Sequence, residues 1–344
     1  MRKEPAIRLI LVVLSLLGSM VFTGCGFTYV INASHRLDPD DAKEFIVEKT
    51  EVAPITEISI HTGIAEVEVV EADKFYVEIN YLYWAEEPEY SLKNGMLFFD
   101  DSDSFPNSYS INFKMDNYIR IYIPKDSSFD TIRIEDASGD VDINSFTTDE
   151  LKVNVSYGDF TMLEAAAIDA DITLSSGSSK INDFQVSELD YTNSYGDADF
   201  TNINQTTLES EEETTYRKLN IAMSSGDVDI RNLNSGKVKI TNAYGDILMD
   251  HLTADDLELK LSSGSCELTK VDVEDTYISN SYGNVTLSMI GSEKDYSLDL
   301  DTSYGKIKVG SSRSDDHYQV VNGTSQRIQA ELSSGDITVN FTEE

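Results

Sequence analysis

Four tyrosines recur at one place in a repeated motif, each directly before a glycine: Tyr157, Tyr195, Tyr244 and Tyr282. If this column faces solvent, it forms an aromatic stripe on which sugar rings or a protein partner can stack. If it faces inward, the rings belong to the core and their hydroxyls need hydrogen-bond partners. The pattern favours an inward or corner-stacked column, and an exposed stripe is the functional hypothesis.

Aspartate follows the same glycine in six units. Such a side chain usually accepts a local backbone hydrogen bond in a glycine turn. The alternative is a calcium ladder, because stacked carboxylates repel one another and a hard dication would relieve the repulsion. Ser178, Ser265, Asn284 and Lys306 interrupt the column, and the paired glycines of calcium-binding nonapeptide repeats are missing. We therefore expect no bound calcium. The six aspartates are Asp140, Asp159, Asp197, Asp227, Asp246 and Asp336.

Catalytic patterns are weak in this sequence. Aspartate and glutamate are scattered along the chain, so spacing singles out no pair for acid–base chemistry. The sequence has neither a nucleophile elbow nor a phosphate-binding loop. The four histidines share no ligand spacing, and Cys266 alternates in phase with apolar residues, as a small buried hydrophobe would. We predict no enzyme, cofactor or metal site; a carbohydrate-active β-helix enzyme is the alternative.

The motif glycines are separated by 19, 19, 19, 30, 19, 19, 19, 22 and 30 residues. Such self-similarity indicates a repeat architecture. The longer gaps predict insertions into single coils, such as the acidic run at 209–213. Glycine suits a corner because it tolerates backbone angles that a Cβ forbids. The corner glycines are Gly139, Gly158, Gly177, Gly196, Gly226, Gly245, Gly264, Gly283, Gly305 and Gly335.

Apolar residues alternate inside each unit, as in Leu151, Val153 and Val155, which predicts strands with one buried face. A unit of 19 residues cannot bury that face alone, so stacked neighbours must supply the core. The sequence predicts an all-β, single-domain β-solenoid (β-helix) of parallel coils of about 19 residues. The alternation of serine and tyrosine before the glycine also fits coils of two units; we favour one. A further inward column is Phe146, Ala165, Phe184, Ile203, Leu233, Leu252, Val271 and Ile290.

The first residues have the layout of an export signal. Three basic residues precede an apolar run from Leu9 to Phe22, which is short for a membrane span. Thr23-Gly24-Cys25 follows, and the whole resembles a bacterial lipoprotein signal. The resemblance implies that Cys25 becomes the lipid-bearing first residue of an exported, membrane-anchored protein. An uncleaved anchor is the alternative.

The formal charge is -36, and removing residues 1–24, which carry three basic residues and one acidic residue, leaves -38. So acidic a surface disfavours nucleic acid and anionic lipid headgroups as partners. We predict four segments: a signal peptide (1–24), a tether (25–54), a capping portion of the solenoid (55–135) and regular repeats (136–344).

A strand ending in Pro124 is followed by Ile132-Arg-Ile-Glu-Asp-Ala-Ser-Gly-Asp-Val-Asp-Ile143 and by reiterated Ser-Ser-Gly-Asp-Val-x-Ile. This pattern over residues 55–344 resembles the bacterial "putative adhesin" β-strand-repeat family, a domain of unknown function found in exported proteins. The resemblance implies architecture and transfers no catalytic residue. We predict a lipid-anchored, extracytoplasmic scaffold or binding module whose partner is an envelope protein or a glycan; an envelope signalling or stress accessory is a further alternative.

Overall fold

The computed structural model describes residues 35–106, 109–110, 115–204 and 218–342. The fold is all-β, as predicted, with two 3₁₀ turns at Pro39–Asp41 and Glu293–Asp295. The predicted signal peptide, Cys25 and the acidic run at 209–213 lie outside the described residues. Within the described residues, no helix is long and apolar enough to cross a membrane.

The strands of the first half are β1 (His35–Arg36), β2 (Lys43–Glu51), β3 (Glu57–Thr62), β4 (Glu66–Ala72), β5 (Tyr76–Tyr83), β6 (Glu89–Lys93), β7 (Met96–Asp100), β8 (Tyr109–Ser110), β9 (Tyr118–Pro124), β10 (Ser127–Asp136), β11 (Val141–Tyr157), β12 (Phe160–Ser176) and β13 (Ser179–Asn193). Those of the second half are β14 (Ala198–Asn204), β15 (Lys218–Met223), β16 (Val228–Asn234), β17 (Lys237–Tyr244), β18 (Ile247–Ser263), β19 (Cys266–Tyr282), β20 (Val285–Ile290), β21 (Tyr296–Thr302), β22 (Ile307–Val309), β23 (Ser312–Ser314), β24 (His317–Val320), β25 (Gln326–Ser334) and β26 (Ile337–Thr342).

Successive units stack in parallel and in register. Val141 of β11 pairs with Phe160 of β12, and Phe160 pairs with Ser179 of β13, so each step along the stack is 19 residues. One unit per coil is therefore the arrangement. The ladder continues past the undescribed residues 205–217, because β13 pairs with β15 and β14 pairs with β16. The result is a β-solenoid-like stack of repeats.

The strands bend at a second corner, six residues after each corner glycine. There a non-glycine residue adopts the left-handed conformation, with φ of 52° at Asp183, 55° at Asn202 and 57° at Asn232. Short amide side chains tolerate this conformation. They also join neighbouring coils, since Asn202 Nδ2 donates to Asp183 Oδ1 (2.7 Å) and Asn232 Nδ2 donates to Asn202 Oδ1 (2.8 Å).

The inward columns form one continuous core. Leu151, Val153 and Val155 are buried, and so is the column seven residues after the glycine, including Ala165. The prediction for Ile290 was wrong. A register shift between β19 and β20 pairs Val271 with Met289, which is buried in its place.

At the N-terminal end the order of coils differs from the order of the chain. β3 pairs in parallel with both β7 and β10, and β4 pairs with both β9 and β11. The coil containing β3 and β4 therefore lies between the terminal coil (β7, β9) and the regular repeats. β2, which lies within the predicted tether, pairs antiparallel with β5, and β5 pairs antiparallel with β9.

The C-terminal end repeats this arrangement. β25 pairs in parallel with both β19 and β21, and β26 pairs with both β20 and β22. The coil of Gly335 is thus inserted between those of Gly283 and Gly305. The spacings of 22 and 30 residues were predicted to be insertions into single coils; here they mark a chain that runs to the end of the stack and returns. β23 and β24 pair antiparallel with β22 and β21.

Candidate functional site

The corner glycines fix the backbone from which the tyrosines project. A Cβ on Gly177 would lie 1.8 Å from the carbonyl oxygen of Gly158, which stands one coil earlier. The sequence-based explanation, tolerance of unusual angles, is only part of the reason: φ is +135° at Gly177, but at Gly139 and Gly305 it lies outside the left-handed range. The shared requirement is close approach of stacked backbones, which excludes a side chain at this corner.

The predicted tyrosines are all exposed at this corner. Tyr157 is 48% exposed, and Tyr195, Tyr244 and Tyr282 are each 65% exposed. Tyr304, which sequence reasoning did not select, is 80% exposed and occupies the same position before Gly305. We call these five residues the tyrosine stripe. The inward or corner-stacked placement favoured by the sequence is not what the structure shows.

Serine separates the tyrosines along the stack. Tyr157 is paired with Ser176, Tyr244 with Ser263, and Tyr282 with Ser334. Tyr304 comes next, because its carbonyl accepts the N–H of Gly335 at 2.9 Å. Tyrosines therefore recur every two coils, about 9.6 Å apart, and the stripe extends for about 38 Å. In the chain Tyr304 directly follows the Tyr282 unit, which hid the regular alternation.

Buried asparagines support the tyrosine coils from inside. Asn193 Nδ2 donates to the carbonyl of Gly177 at 2.9 Å, and Asn193 Oδ1 accepts the N–H of Tyr195 at 3.1 Å. Asn280 makes the equivalent bonds with Gly264 and Tyr282. Each amide thus ties the backbone of a tyrosine to the coil before it, which holds the stripe on a rigid base.

A column of short acceptors runs beside the stripe, one residue after each corner glycine. Asp140 Oδ1 accepts the N–H of Asp159, and Asp227 Oδ1 accepts the N–H of Asp246, both at 2.8 Å. The predicted hydrogen bond to backbone exists, but it reaches the next coil rather than the local turn. Ser178 and Asn284 fill the same role, which explains the interruptions in the aspartate pattern.

A shallow acidic recess lies on this side of the stripe, beginning two residues beyond Tyr244. Its carboxylates are Asp227, Asp229, Asp246 and Glu267, and the side chain of Leu248 is 41% exposed beside them. Arg231 forms an ion pair with Asp229. The arrangement offers exposed aromatic rings, carboxylate oxygens and a small apolar surface along one edge of the solenoid.

The family described as Toastrack DUF4097 matches the chain twice, over residues 55–214 and 210–340. The chain belongs to this family. The resemblance predicted from the sequence is thereby confirmed at the level of the family. No curated protein matches the chain.

Three solved structures are similar to this Toastrack chain. A putative adhesin from Bacteroides fragilis is 13% identical with a TM-score of 0.34, covering 86% of this chain and 97% of that one. A putative lipid binding protein from Parabacteroides distasonis is 12% identical with a TM-score of 0.34, covering 90% and 100%. A putative adhesin from the same organism is 12% identical with a TM-score of 0.31, covering 88% and 97%.

Two buried aspartates mark the N-terminal end of the Toastrack stack. Thr62 Oγ1 donates to Asp101 at 2.9 Å, and Tyr81 also donates to this carboxylate. Burial raises the pKa of Asp101 despite these bonds. Burial raises the pKa of Asp136 to about 8, opposed by the N–H of Ser138, which donates to Oδ1 at 2.9 Å.

Asp136 occupies the place that asparagine takes in the tyrosine coils. Its Oδ2 lies 2.6 Å from the ideal Cβ position of Gly139, and the Ala65 carbonyl oxygen lies 2.1 Å from the same point. Around Gly245 the corresponding atoms are Asn242 Nδ2 and the Gly226 carbonyl oxygen. A carboxylate oxygen therefore stands where an amide donor faces a carbonyl, and Oδ2 has no hydrogen-bond partner among the described residues.

The other reactive groups have structural explanations. Cys266 is buried, and burial raises the pKa of its thiol, which makes it a core residue as predicted from its phase. Asp299, Asp301 and His317 bring ligand atoms within 4.8 Å of one another, a grouping that the sequence did not reveal because antiparallel pairing of β21 and β24 creates it. His317 Nδ1 and Asp301 Oδ1 form an exposed ion pair at 2.8 Å, which accounts for their proximity.

Proposed function

We propose that this Toastrack protein is a non-catalytic binding module that presents the tyrosine stripe to a partner in the cell envelope. The observation that carries the proposal is the alignment of five exposed tyrosines on one corner of a rigid stack. Exposed aromatic rings lose apolar contact with water when a partner covers them, and they need little ordering because the backbone beneath them is already fixed.

The proposal includes export and a lipid on Cys25, supported by the resemblance of residues 1–25 to a lipoprotein signal. In a bacterial host, Cys25→Ser should abolish metabolic labelling by a fatty acid and release the protein from the membrane fraction. Retention of both label and membrane association in this variant would contradict the lipid anchor, without affecting the stripe.

The binding role is tested by co-sedimentation of purified protein with isolated bacterial envelopes. The variant Tyr195→Ala/Tyr244→Ala/Tyr282→Ala keeps the net charge and should lose most of the binding. The matched control is Tyr277→Ala, a partly exposed tyrosine on another side of the coil that faces the Glu331 carboxylate. Equal sedimentation of the triple variant and the native protein would refute a binding role for the stripe. Digesting the envelopes with protease or with glycan hydrolases beforehand identifies the class of partner.

A further inference from the structure

The tyrosine stripe has a period that discriminates between ligand conformations. Its rings repeat every two coils, which at a strand separation of 4.7–4.9 Å is about 9.4–9.8 Å. A polyproline II helix presents the same face every third residue, a repeat of about 9.3 Å at a rise of 3.1 Å. An extended strand presents the same face about every 6.7 Å, and an α-helix advances 5.4 Å per turn. Among regular polypeptide conformations, polyproline II fits the stripe.

The charge beside the stripe indicates the composition of such a ligand. The acceptor column next to Tyr195 and Tyr244 contributes Asp197, Asp227 and Asp246. The acidic recess adds Asp229 and Glu267, and Leu248 offers an apolar surface for an aliphatic stem. Lysine and arginine combine such a stem with a cationic end, and a cation near a tyrosine face gains additional attraction.

Several basic residues of the second half of the chain lie away from the stripe. Lys237 lies 3.2 Å from Asp256, and Arg327 lies 2.7 Å from Asp275, both on the outward face of the strands that precede the corner. These ion pairs join neighbouring coils on that face. The central part of the stripe therefore retains its acidic character, and a second copy of this acidic chain would be repelled from it.

We infer that the ligand of the stripe is a basic, proline-rich polypeptide segment in the polyproline II conformation, lying parallel to the stack axis. Every third residue would pack between successive tyrosines, over the intervening serine, while lysine or arginine side chains reach the acceptor column and the recess. Polyproline II segments dock on aromatic surfaces because they are ordered before binding. This inference rests on the proposed function, since it names the partner of the same stripe.

Fluorescence anisotropy with two labelled peptides of identical composition tests the inference. One peptide repeats Pro-Pro-Lys six times, and the other carries the same residues with the lysines at irregular spacings. Both have the same charge, so non-specific attraction to an acidic protein contributes equally. The periodic peptide should bind about tenfold more tightly, because each ring contact in register adds to the affinity.

Variants then assign the preference to the stripe. Tyr195→Ala/Tyr244→Ala/Tyr282→Ala should reduce binding of the periodic peptide to that of the irregular one, and Tyr277→Ala should leave it unchanged. Circular dichroism and thermal melting verify that both variants are folded. Equal affinities of the native protein for the two peptides, or an unchanged preference in the triple variant, would overturn the inference.

A glycan arm separates this inference from the proposed function. If chitin oligosaccharides bind the native protein but not the triple variant, and the periodic peptide shows no advantage, the stripe is a binding site and the polypeptide ligand is wrong. If neither probe binds and envelope co-sedimentation is also independent of the tyrosines, both proposals fail.

Discussion

The carbonyl oxygen of Gly245 lies 2.0 Å from the position that a Cβ on Gly264 would occupy. No side chain can stand so close to a backbone oxygen, so an alanine there must push two coils apart or distort the corner. The same relationship recurs along the stack and makes the glycine column a condition for stacking.

Gly264→Ala should therefore destabilise the protein by at least about 3 kcal/mol, combining a left-handed backbone with a backbone clash. Gly63→Ala is the matched control, because its Cβ would meet only the carboxylate of Asp101, at 3.7 Å. Urea unfolding followed by circular dichroism measures both. Similar losses at the two glycines would show that contact between coils is not the cause.

Asn193→Ala should cost about 1–3 kcal/mol, because it leaves the Gly177 carbonyl and the Tyr195 N–H without their buried partner. Asn154→Ala, at an exposed position of a neighbouring coil, should stay within about 0.5 kcal/mol of the native protein. Urea unfolding of the two variants gives the comparison. A neutral Asn193→Ala would mean that water replaces the amide.

Asp227→Ala should cost about 1 kcal/mol by removing the acceptor of the Asp246 N–H, whereas Asp227→Asn retains an acceptor oxygen and should be close to native. Thermal melts in calcium and in chelator should have the same midpoint for all three proteins. A calcium ladder would instead make both substitutions costly and the native midpoint calcium-dependent.

Asp136→Asn should stabilise the protein at pH 8 and have little effect near pH 4. The pKa of Asp136 is about 8 in the folded state, above its ordinary value. Between about pH 4 and pH 8 the unfolded chain releases a proton that the folded chain retains. This group therefore lowers stability as pH rises, by up to about 1.4 kcal/mol per pH unit.

The measurement is the difference between the unfolding free energies of Asp136→Asn and the native protein, taken from pH 4 to pH 8. Asp130→Asn, on an exposed strand position, corrects for the general repulsion of an acidic chain. A difference that does not grow with pH would show that Asp136 is ionised in the folded protein across this range.

Local patterns predicted the coil well. The alternation around Leu151 and Val155 specified which residues are inward, and the 19-residue spacing specified the step. Both features depend on one coil and its immediate neighbour, which a repeat writes directly into the sequence.

The order of coils at the ends could not be predicted. The 30-residue spacing before Gly335 has the same appearance whether a loop bulges from one coil or the chain returns to insert another. Only the pairing of β25 with both β19 and β21 distinguishes them. The orientation of Tyr195 was also undetermined, since a residue at a corner belongs to neither face of a strand.

The inserted coil of β25 and β26 affects how the molecule can be assembled. A polypeptide that leaves a translocation channel from its N-terminus could complete the regular coils as they emerge. Its far end, however, would stay open until residues 326–342 arrive and slide between two partners that were exported earlier. Maturation of this protein would then finish with a closing step, and the last stretch to be secreted would act as a keystone.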